Sequence, residues 1–133
     1  VIEGNLQRGE QDAHATVVEV TAALQQGVTA LVQVTEALLP EIGRDRTAAL
    51  ANATVYLDMF GRVFAAWMWL KQALAAAECL RTAGTAAAEA DFCQGKLQAA
   101  RFFARWELPK YQHEAQILLQ RYDEPLSMPA EWF

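Results

Sequence analysis

The two histidines, His14 and His113, are candidates for a chemical role. Ferritin-like bundles bind two metal ions through Glu-x-x-His pairs that project inward. Here Gln11 stands three residues before His14, and Lys110 stands three residues before His113, so that motif is absent. Neither histidine has the lysine and small residue that follow the histidine of a phosphotransfer bundle. We therefore predict a solvated or capping role for each histidine rather than a catalytic one.

The two cysteines, Cys79 and Cys93, lie in separate helical stretches and form no Cys-x-x-Cys pair. Their spacing indicates neither a zinc site nor a dithiol redox motif. We expect two buried, reduced thiols, as is usual for a cytoplasmic protein.

Three acids, Asp58, Glu78 and Glu107, lie nearest to aromatic residues in the sequence. Asp58 precedes Arg62 by four positions, a helical spacing at which the two side chains can pair. The other two acids lie near predicted helix ends. The chain has no glycine-rich phosphate loop, nucleophile elbow or paired catalytic carboxylates. We therefore predict no catalytic, cofactor-binding or metal-binding residue in this chain.

The composition favours an all-α protein. Of the 133 residues 26 are alanine, the best helix former, against 4 prolines and 7 glycines. The net charge is -5 and the basic residues form no stripe, which argues against nucleic acid as a partner. The most apolar run, residues 55–70, contains Asp58 and Arg62 and is too short to span a bilayer. No signal peptide opens the chain, so we expect a soluble, cytoplasmic protein without a membrane span.

The pattern predicts one domain over residues 1–133, an up-and-down bundle of three long helices plus a shorter fourth helix and an extended C-terminal tail. The helices are expected over about 11–39, 46–81, 86–107 and 110–122. Pro40 should end the first helix, Gly84 should end the second in a left-handed conformation, and Pro109 should end the third. The expected capping residues are Asp45 or Thr47 for the second helix and Thr85 for the third.

Apolar residues at heptad spacing predict which helix faces are buried. The first helix has one seam, formed by Val17, Val20, Leu24, Gly27, Leu31, Val34 and Leu38. In this seam Gly27 costs helix propensity, which indicates a close approach or a slight bend.

The second helix is predicted to be the buried, central one. It has two neighbouring stripes, one of Leu50, Ala53, Leu57, Phe60, Phe64 and Trp67, the other of Tyr56, Val63, Leu70 and Ala77. The third helix is expected to bury Phe92, Ala99, Phe103 and Trp106, and the fourth Tyr111, Ala115, Leu118, Leu119 and Tyr122.

Aromatic residues exceed what three helices can bury on one shared face. A thick core explains most of them, and the surplus is more naturally an interface with another domain or subunit. The candidate interface residues are Met68, Trp69, Phe102 and Trp132.

Two segments carry a resemblance to a known family. They are residues 56–63 with 66–73 (YLDMFGRV and AWMWLKQA) and residues 92–105 (FCQGKLQAARFFAR), which lead into Glu107-Leu108-Pro109. Both resemble the helical module at the C-terminus of the longer acyl-CoA dehydrogenases. The most specific part is residues 96–109, an aromatic-rich helix that ends in Leu-Pro.

The resemblance implies a parent enzyme that uses FAD to oxidise an acyl-CoA thioester across its α and β carbons. In that family the flavin pocket, the thioester pocket and the catalytic base belong to preceding domains, so no cofactor residue is expected here. The chain would then be a packing domain, a fragment of a longer protein, as its start at Val1 also indicates. Its expected partners are the preceding catalytic domains and a second subunit, most simply in a dimer.

A second hypothesis is a stand-alone helical module that binds a partner helix or an apolar ligand between its helices. The same surplus of tryptophan and phenylalanine supports it.

Overall fold

The chain folds as an all-α protein, as its composition predicts. The computed structural model describes residues 1–82 and 84–132, and those ranges contain no strand. Their elements are α1 (Ile2–Glu10), α2 (Ala15–Arg44), α3 (Arg46–Ala49), α4 (Ala53–Arg81), α5 (Ala87–Phe102), a π-helical segment (Phe103–Glu107), a 3-10 turn (Leu108–Lys110), α6 (Tyr111–Gln120), α7 (Glu124–Ser127) and a final 3-10 turn (Ala130–Trp132).

Three helical rods form the bundle. The Thr35 hydroxyl lies 2.7 Å from the Tyr56 hydroxyl at one end of α2 and α4, and Arg81 pairs with Asp12 at 3.1 Å at the other end. α2 and α4 are therefore antiparallel. α5 turns back along α4, and α6 continues α5 as a third rod that contacts both α2 and α4. The predicted fourth helix is present as α6, but it continues the third rod and does not form a separate one.

The bundle core combines a branched aliphatic seam with an alanine-rich face. The seam prediction for α2 is confirmed at its centre, because Val17, Val20, Leu24, Gly27 and Val34 are buried. Gly27 is the predicted close approach, since a β-carbon there would touch both Val63 and Leu108 at 3.4 Å. The faces that α4 and α5 contribute to the core include many small residues: Ala66, Ala73, Ala76 and Ala77 on α4, and Cys93 and Ala100 on α5.

The prediction that both α4 stripes are buried is wrong for the first stripe. Phe60 and Phe64 are each 48% exposed, and Leu57 is 67% exposed. The second stripe is buried instead, with Val63 and Leu70 in the core. α4 presents this narrow face because it packs between two rods, and its small residues let both rods come close.

On the third rod, too, residues predicted to be buried are exposed. Phe92 and Trp106 were predicted to face inward, and they are 65% and 67% exposed. The buried face lies one residue further on, at Cys93, Leu97 and Ala100. Bulky rings would hold α5 away from the alanines of α4, so the small residues take the contact.

Pro109 was predicted to end the third helix, and the structure carries the rod past it. The chain widens into the π-helical segment, where the backbone N–H of Leu108 donates to the carbonyl of Phe103, five residues back. A wider turn accommodates a proline that lacks an N–H and crowds the preceding turn. The carbonyl of Glu107 accepts a bond from Arg62 at 3.4 Å, so a partner on α4 satisfies it.

The predicted second helix, 46–81, is divided into α3 and α4. Asp45 caps α3 by accepting from the backbone N–H of Ala48 at 3.0 Å, one of the two predicted possibilities. The helix then breaks before Asn52, whose side-chain amide donates to the carbonyl of Tyr122 at 2.7 Å. Pro40, predicted to end α2, lies inside it close to the C-terminus, where few backbone bonds are lost.

The turn between α4 and α5 contains Gly84 with φ 83°, the predicted left-handed glycine. Thr85 was expected to cap α5, but its hydroxyl donates to the carbonyls of Cys79 and Thr82, both at 2.9 Å. It therefore closes the end of α4.

Cys79 and Cys93 form a disulfide, so the prediction of two reduced thiols is wrong. The α4–α5 hairpin brings the two Cα atoms to 6.7 Å, although 14 positions separate them in the sequence. The distance arises from the pairing of two antiparallel helices, which residue spacing does not reveal. Cys93 is buried, as predicted.

α1 was not predicted, because Gly4 and Gly9 lower its helix propensity. Contacts with two other helices hold it in place. Gly9 packs directly against the side chain of Thr21 on α2. The indole Nε1 of Trp67 on α4 donates to Asn5 Oδ1 at 2.9 Å.

The C-terminal tail, predicted to run extended, contains α7 and the last 3-10 turn. Its apolar residues Leu126, Met128 and Trp132 are exposed by 47% to 75%. Phe133, also expected to pack against the bundle or another domain, lies outside the described residues.

In the described ranges one helix, α2, is long and apolar enough to cross a membrane. The core helix of a soluble bundle has the same length and composition, and the buried α2 residues line the core here. The expectation of a chain without a membrane span stays a prediction.

Gly9→Ala is expected to lower the free energy of unfolding by about 1–3 kcal/mol, because the new methyl group would overlap Thr21 Oγ1. Gly4→Ala on the same helix meets no atom within 4 Å and should be neutral or slightly stabilising. Denaturant melts of both variants test this. Equal midpoints would show that α1 does not pack on α2 as described.

Reduction of the disulfide should lower the free energy of unfolding by about 3 kcal/mol, the value expected for a closed loop of this length. Denaturant melts with and without dithiothreitol measure the change. The double variant Cys79→Ala/Cys93→Ala serves as the control and should not respond to the reductant. A wild-type midpoint that is insensitive to reductant would contradict the disulfide.

Candidate functional site

The histidines have the structural roles predicted for them. His14 is the N-cap of α2, and its Nδ1 accepts from the backbone N–H of Thr16 at 3.2 Å. The backbone N–H of His14 donates in turn to Asp12 Oδ1 at 2.8 Å. His113 is exposed on α6. Across residues 1–82 and 84–132, no three His, Cys, Asp or Glu side chains converge where they could share a metal ion.

The four-residue spacing predicted an ion pair between Arg62 and Asp58, but Arg62 pairs with other carboxylates instead. Its Nη2 donates to Glu114 Oε1 on α6 at 2.7 Å, and its Nη1 lies 3.5 Å from Glu107 Oε2. The hydrogen bond to Glu114 raises the pKa of Arg62. Because Arg62 and Glu114 are largely buried, this pair fixes α4 against the third rod.

Glu19 on α2 joins the first rod to the third. Arg105 Nη2 donates to it at 3.0 Å, and Arg101 Nε lies 3.5 Å from its Oε2. The hydrogen bond from Arg105 lowers the pKa of Glu19. Arg101 also donates to the hydroxyl of Thr16. These ionised groups bind one another, so they serve to hold helices together.

Exposed apolar surface is the feature of the described residues that points to function. The first patch, here called the α4 stripe, consists of Leu57, Phe60 and Phe64 on one face of α4. Phe64 meets the ring of Trp67 edge-on at 5.5 Å, and Trp67 lies under α1. α1 packs against α4 at Trp67 and leaves Leu57, Phe60 and Phe64 exposed. Such an exposed apolar patch is typical of an interface.

The second patch, here called the α5 stripe, consists of Phe92, Phe102 and Trp106. The rings of Phe102 and Trp106 stack with centroids 5.9 Å apart. Gly95 lies between Phe92 and Phe102, and a β-carbon built there meets no atom within 4 Å. Because Gly95 is exposed and has no side chain, another surface could approach the helix closely at this position.

The four predicted interface residues have different surroundings. Phe102 is 54% exposed within the α5 stripe, and Trp132 is 75% exposed in the tail. Met68 and Trp69 are half-buried, and the Trp69 ring lies 6.4 Å from that of Phe103, with the Lys96 amine 5.7 Å above it. The structure brings Phe102 together with Trp106, while Trp69 faces the α4–α5 contact.

Sequence reasoning missed the α4 stripe, Phe92 and Trp106, because it treated large aromatic residues as core. The useful signal was present in the neighbouring positions. Val63, Leu70 and Ala77 form a seam of aliphatic and small residues, which suits a helix packed between two others.

A known family matches the chain over almost its whole length. Residues 3–129 match the family described as "Acetyl-CoA dehydrogenase C-terminal like". Neither the curated proteins nor the solved structures contain a significant match to the chain.

Acid should destabilise the protein partly through Glu19. Its folded pKa lies below the ordinary value of 4.5, so its contribution is full above that pH and is lost as the pH falls through the lower folded value. Between about pH 5 and about pH 3, the wild type should lose more unfolding free energy than Arg105→Gln. The variant Arg8→Gln, on α1, is the control for loss of one charge. Identical pH slopes in the wild type and Arg105→Gln would refute this role.

Proposed function

We propose that this chain, which belongs to the acetyl-CoA dehydrogenase C-terminal-like family, is the non-catalytic packing domain of an FAD-dependent acyl-CoA dehydrogenase. The parent enzyme would oxidise an acyl-CoA thioester across its α and β carbons. The observation that carries the proposal is the family match over residues 3–129, nearly the whole chain.

The exposed stripes support a packing role. Phe60 and Phe64 on α4 and Phe102 and Trp106 on the third rod present large rings to solvent, where an isolated domain gains nothing from them. Covering such rings by an adjoining domain would bury substantial apolar area, at roughly 25 cal/mol per Å². The polar residues with the strongest interactions in the domain, such as Arg62, are already bound to other side chains.

FAD itself does not fit this chain. Its pyrophosphate needs convergent backbone N–H groups or arginines, commonly at a glycine-rich helix start. The apolar cavity where α2, α3 and α4 meet adjoins Glu41, Asp45 and Asp123, which would repel a pyrophosphate. The proposal therefore assigns the flavin to preceding catalytic domains.

The proposal also includes a cytoplasmic location and a homo-oligomer, most simply a dimer. In the cytoplasm the Cys79–Cys93 disulfide persists only if it resists reduction by the thiol pool. Burial of Cys93 limits access to one of its two sulfur atoms.

A second candidate is an independent interaction module that binds a partner helix or an apolar ligand. The open, exposed position of Gly95, which lies in sequence between the exposed residues Phe92 and Phe102, favours it. The two candidates differ in whether the stripes are covered by the protein's own catalytic domains.

The first test is the visible absorption spectrum of the protein expressed from the complete reading frame, with and without acyl-CoA. A flavin band that bleaches on addition of the thioester is expected, because the substrate reduces FAD. A colourless protein would refute the dehydrogenase proposal and favour the independent module.

The packing role needs its own test, with Phe64→Ser. Phe64 is half exposed in this domain, so the change should alter the melting temperature of the 133-residue chain little. In the complete protein the catalytic domains would cover Phe64, so the same change should lower the melting temperature. Val32→Ser, at an equally exposed α2 position outside both stripes, should leave both melts unchanged. Equal effects of Phe64→Ser on the two proteins would count against docking of the α4 stripe.

A further inference from the structure

A cavity of about 320 Å³ opens at the end of the bundle where α2, α3 and α4 meet. Its walls are almost entirely apolar, and they include Leu38, Leu39, Ile42, Leu50, Leu57 and Leu118. Neither exposed stripe forms it, apart from Leu57 at its edge. Cavities of about this size and larger accommodate small ligands.

The polar groups in this apolar chamber are already paired. The hydroxyls of Thr35 and Tyr56 lie 2.7 Å apart and bond to each other. The side-chain amide of Asn52 donates to the carbonyl of Tyr122. A ligand portion that enters the chamber thus meets a surface suited to an alkyl or aryl group.

A second, smaller chamber of about 110 Å³ adjoins the first. The two share Leu38, Ala49, Asn52 and Leu118 as wall residues, so they lie side by side. The second chamber differs in character, because Glu41, Asp45, Asp123 and Arg121 also line it.

The charged side chains around the second chamber carry a net negative charge. Glu41 is bound by Arg44 at 3.0 Å and by Arg121 at 3.2 Å. Asp45 and Asp123 add two further carboxylates, so three acids stand against two arginines. The C-terminal ends of α2 and α6 lie here together with the N-terminal ends of α3 and α7, so the helix ends favour neither sign of charge and the lining carboxylates carry the preference.

We propose that the two chambers together form a binding site for a small cationic amphiphile. Its alkyl or aryl chain occupies the apolar chamber, and its ammonium group occupies the acidic one. The apolar cavity provides the space and the burial of the chain, and the adjoining carboxylates select the sign of the head group. An anionic amphiphile would place its head beside Asp45 and Asp123. This site is independent of flavin chemistry, and it shares only Leu57 with the α4 stripe.

The test is a ¹⁵N–¹H NMR titration of the 133-residue chain at neutral pH with n-octylammonium, n-octanol and n-octanoate. The three probes share a chain length and differ in head-group charge. We expect octylammonium to shift the amide signals of residues around the chambers and to bind about fivefold more tightly than octanol, the factor that corresponds to about 1 kcal/mol for one charge pair near water. Octanoate should bind more weakly than octanol.

Variants place the site and identify its charge preference. Ala49→Phe fills the wall that both chambers share and should abolish binding, whereas Ala88→Phe, at an exposed α5 position, should not. Asp45→Asn with Asp123→Asn should remove the preference for octylammonium over octanol. Asparagine caps a helix as well as aspartate, so α3 should be retained, as circular dichroism would check.

Several results would overturn the proposal. They are an absence of chemical-shift changes with octylammonium, equal affinities for octylammonium and octanol in the wild type, or an unchanged preference in the Asp45→Asn/Asp123→Asn variant. Should Ala49→Phe fail to fold, the comparison of head groups in the double asparagine variant still decides the matter.

Discussion

The close contact of α4 with its two neighbouring rods is the constraint on which this structure depends. Half of the buried residues of α4 are alanines, among them Ala66, Ala73 and Ala77, and the third rod that it meets also buries small residues such as Cys93 and Ala100. Helices packed through small side chains lie near each other, and dispersion contacts then extend along their whole length. That proximity fixes which faces are inside and leaves many of the large rings, such as those of Phe60, Phe64 and Trp106, outside the contact.

The rest of the molecule follows from this contact. Aromatic residues such as Phe64 and Trp106 have to point outward, which produces the exposed stripes. The third rod has to stay beside α4 beyond Pro109, and the π-helical segment, with the Arg62–Glu114 pair, allows it to do so. The disulfide joins the same two rods at their opposite end. Contacts between helices therefore use polar groups such as Arg62 and Glu114, and the two exposed stripes that remain are apolar.

Burial in this fold depends on size as much as on hydrophobicity. A heptad stripe of Leu57, Phe60 and Phe64 has the spacing of a core, yet the neighbouring stripe of smaller residues occupies it. The cysteines are a related case, because their spacing excludes a familiar motif and says nothing of two helices that meet face to face. In both cases the missing information was the distance between helices.

By itself the sequence determined the elements that depend on local preferences. Alanine content made the chain helical, Gly84 set the left-handed turn, Asp45 could cap a helix, and the α2 seam placed Val17, Leu24 and Val34 inside. The tertiary structure decided everything that depends on which helices are neighbours: the partner of Arg62, the pairing of the cysteines, the exposed stripes and the two chambers. The physical reason is that propensity and capping act within a few residues, whereas burial and ion pairing act between segments far apart in the chain.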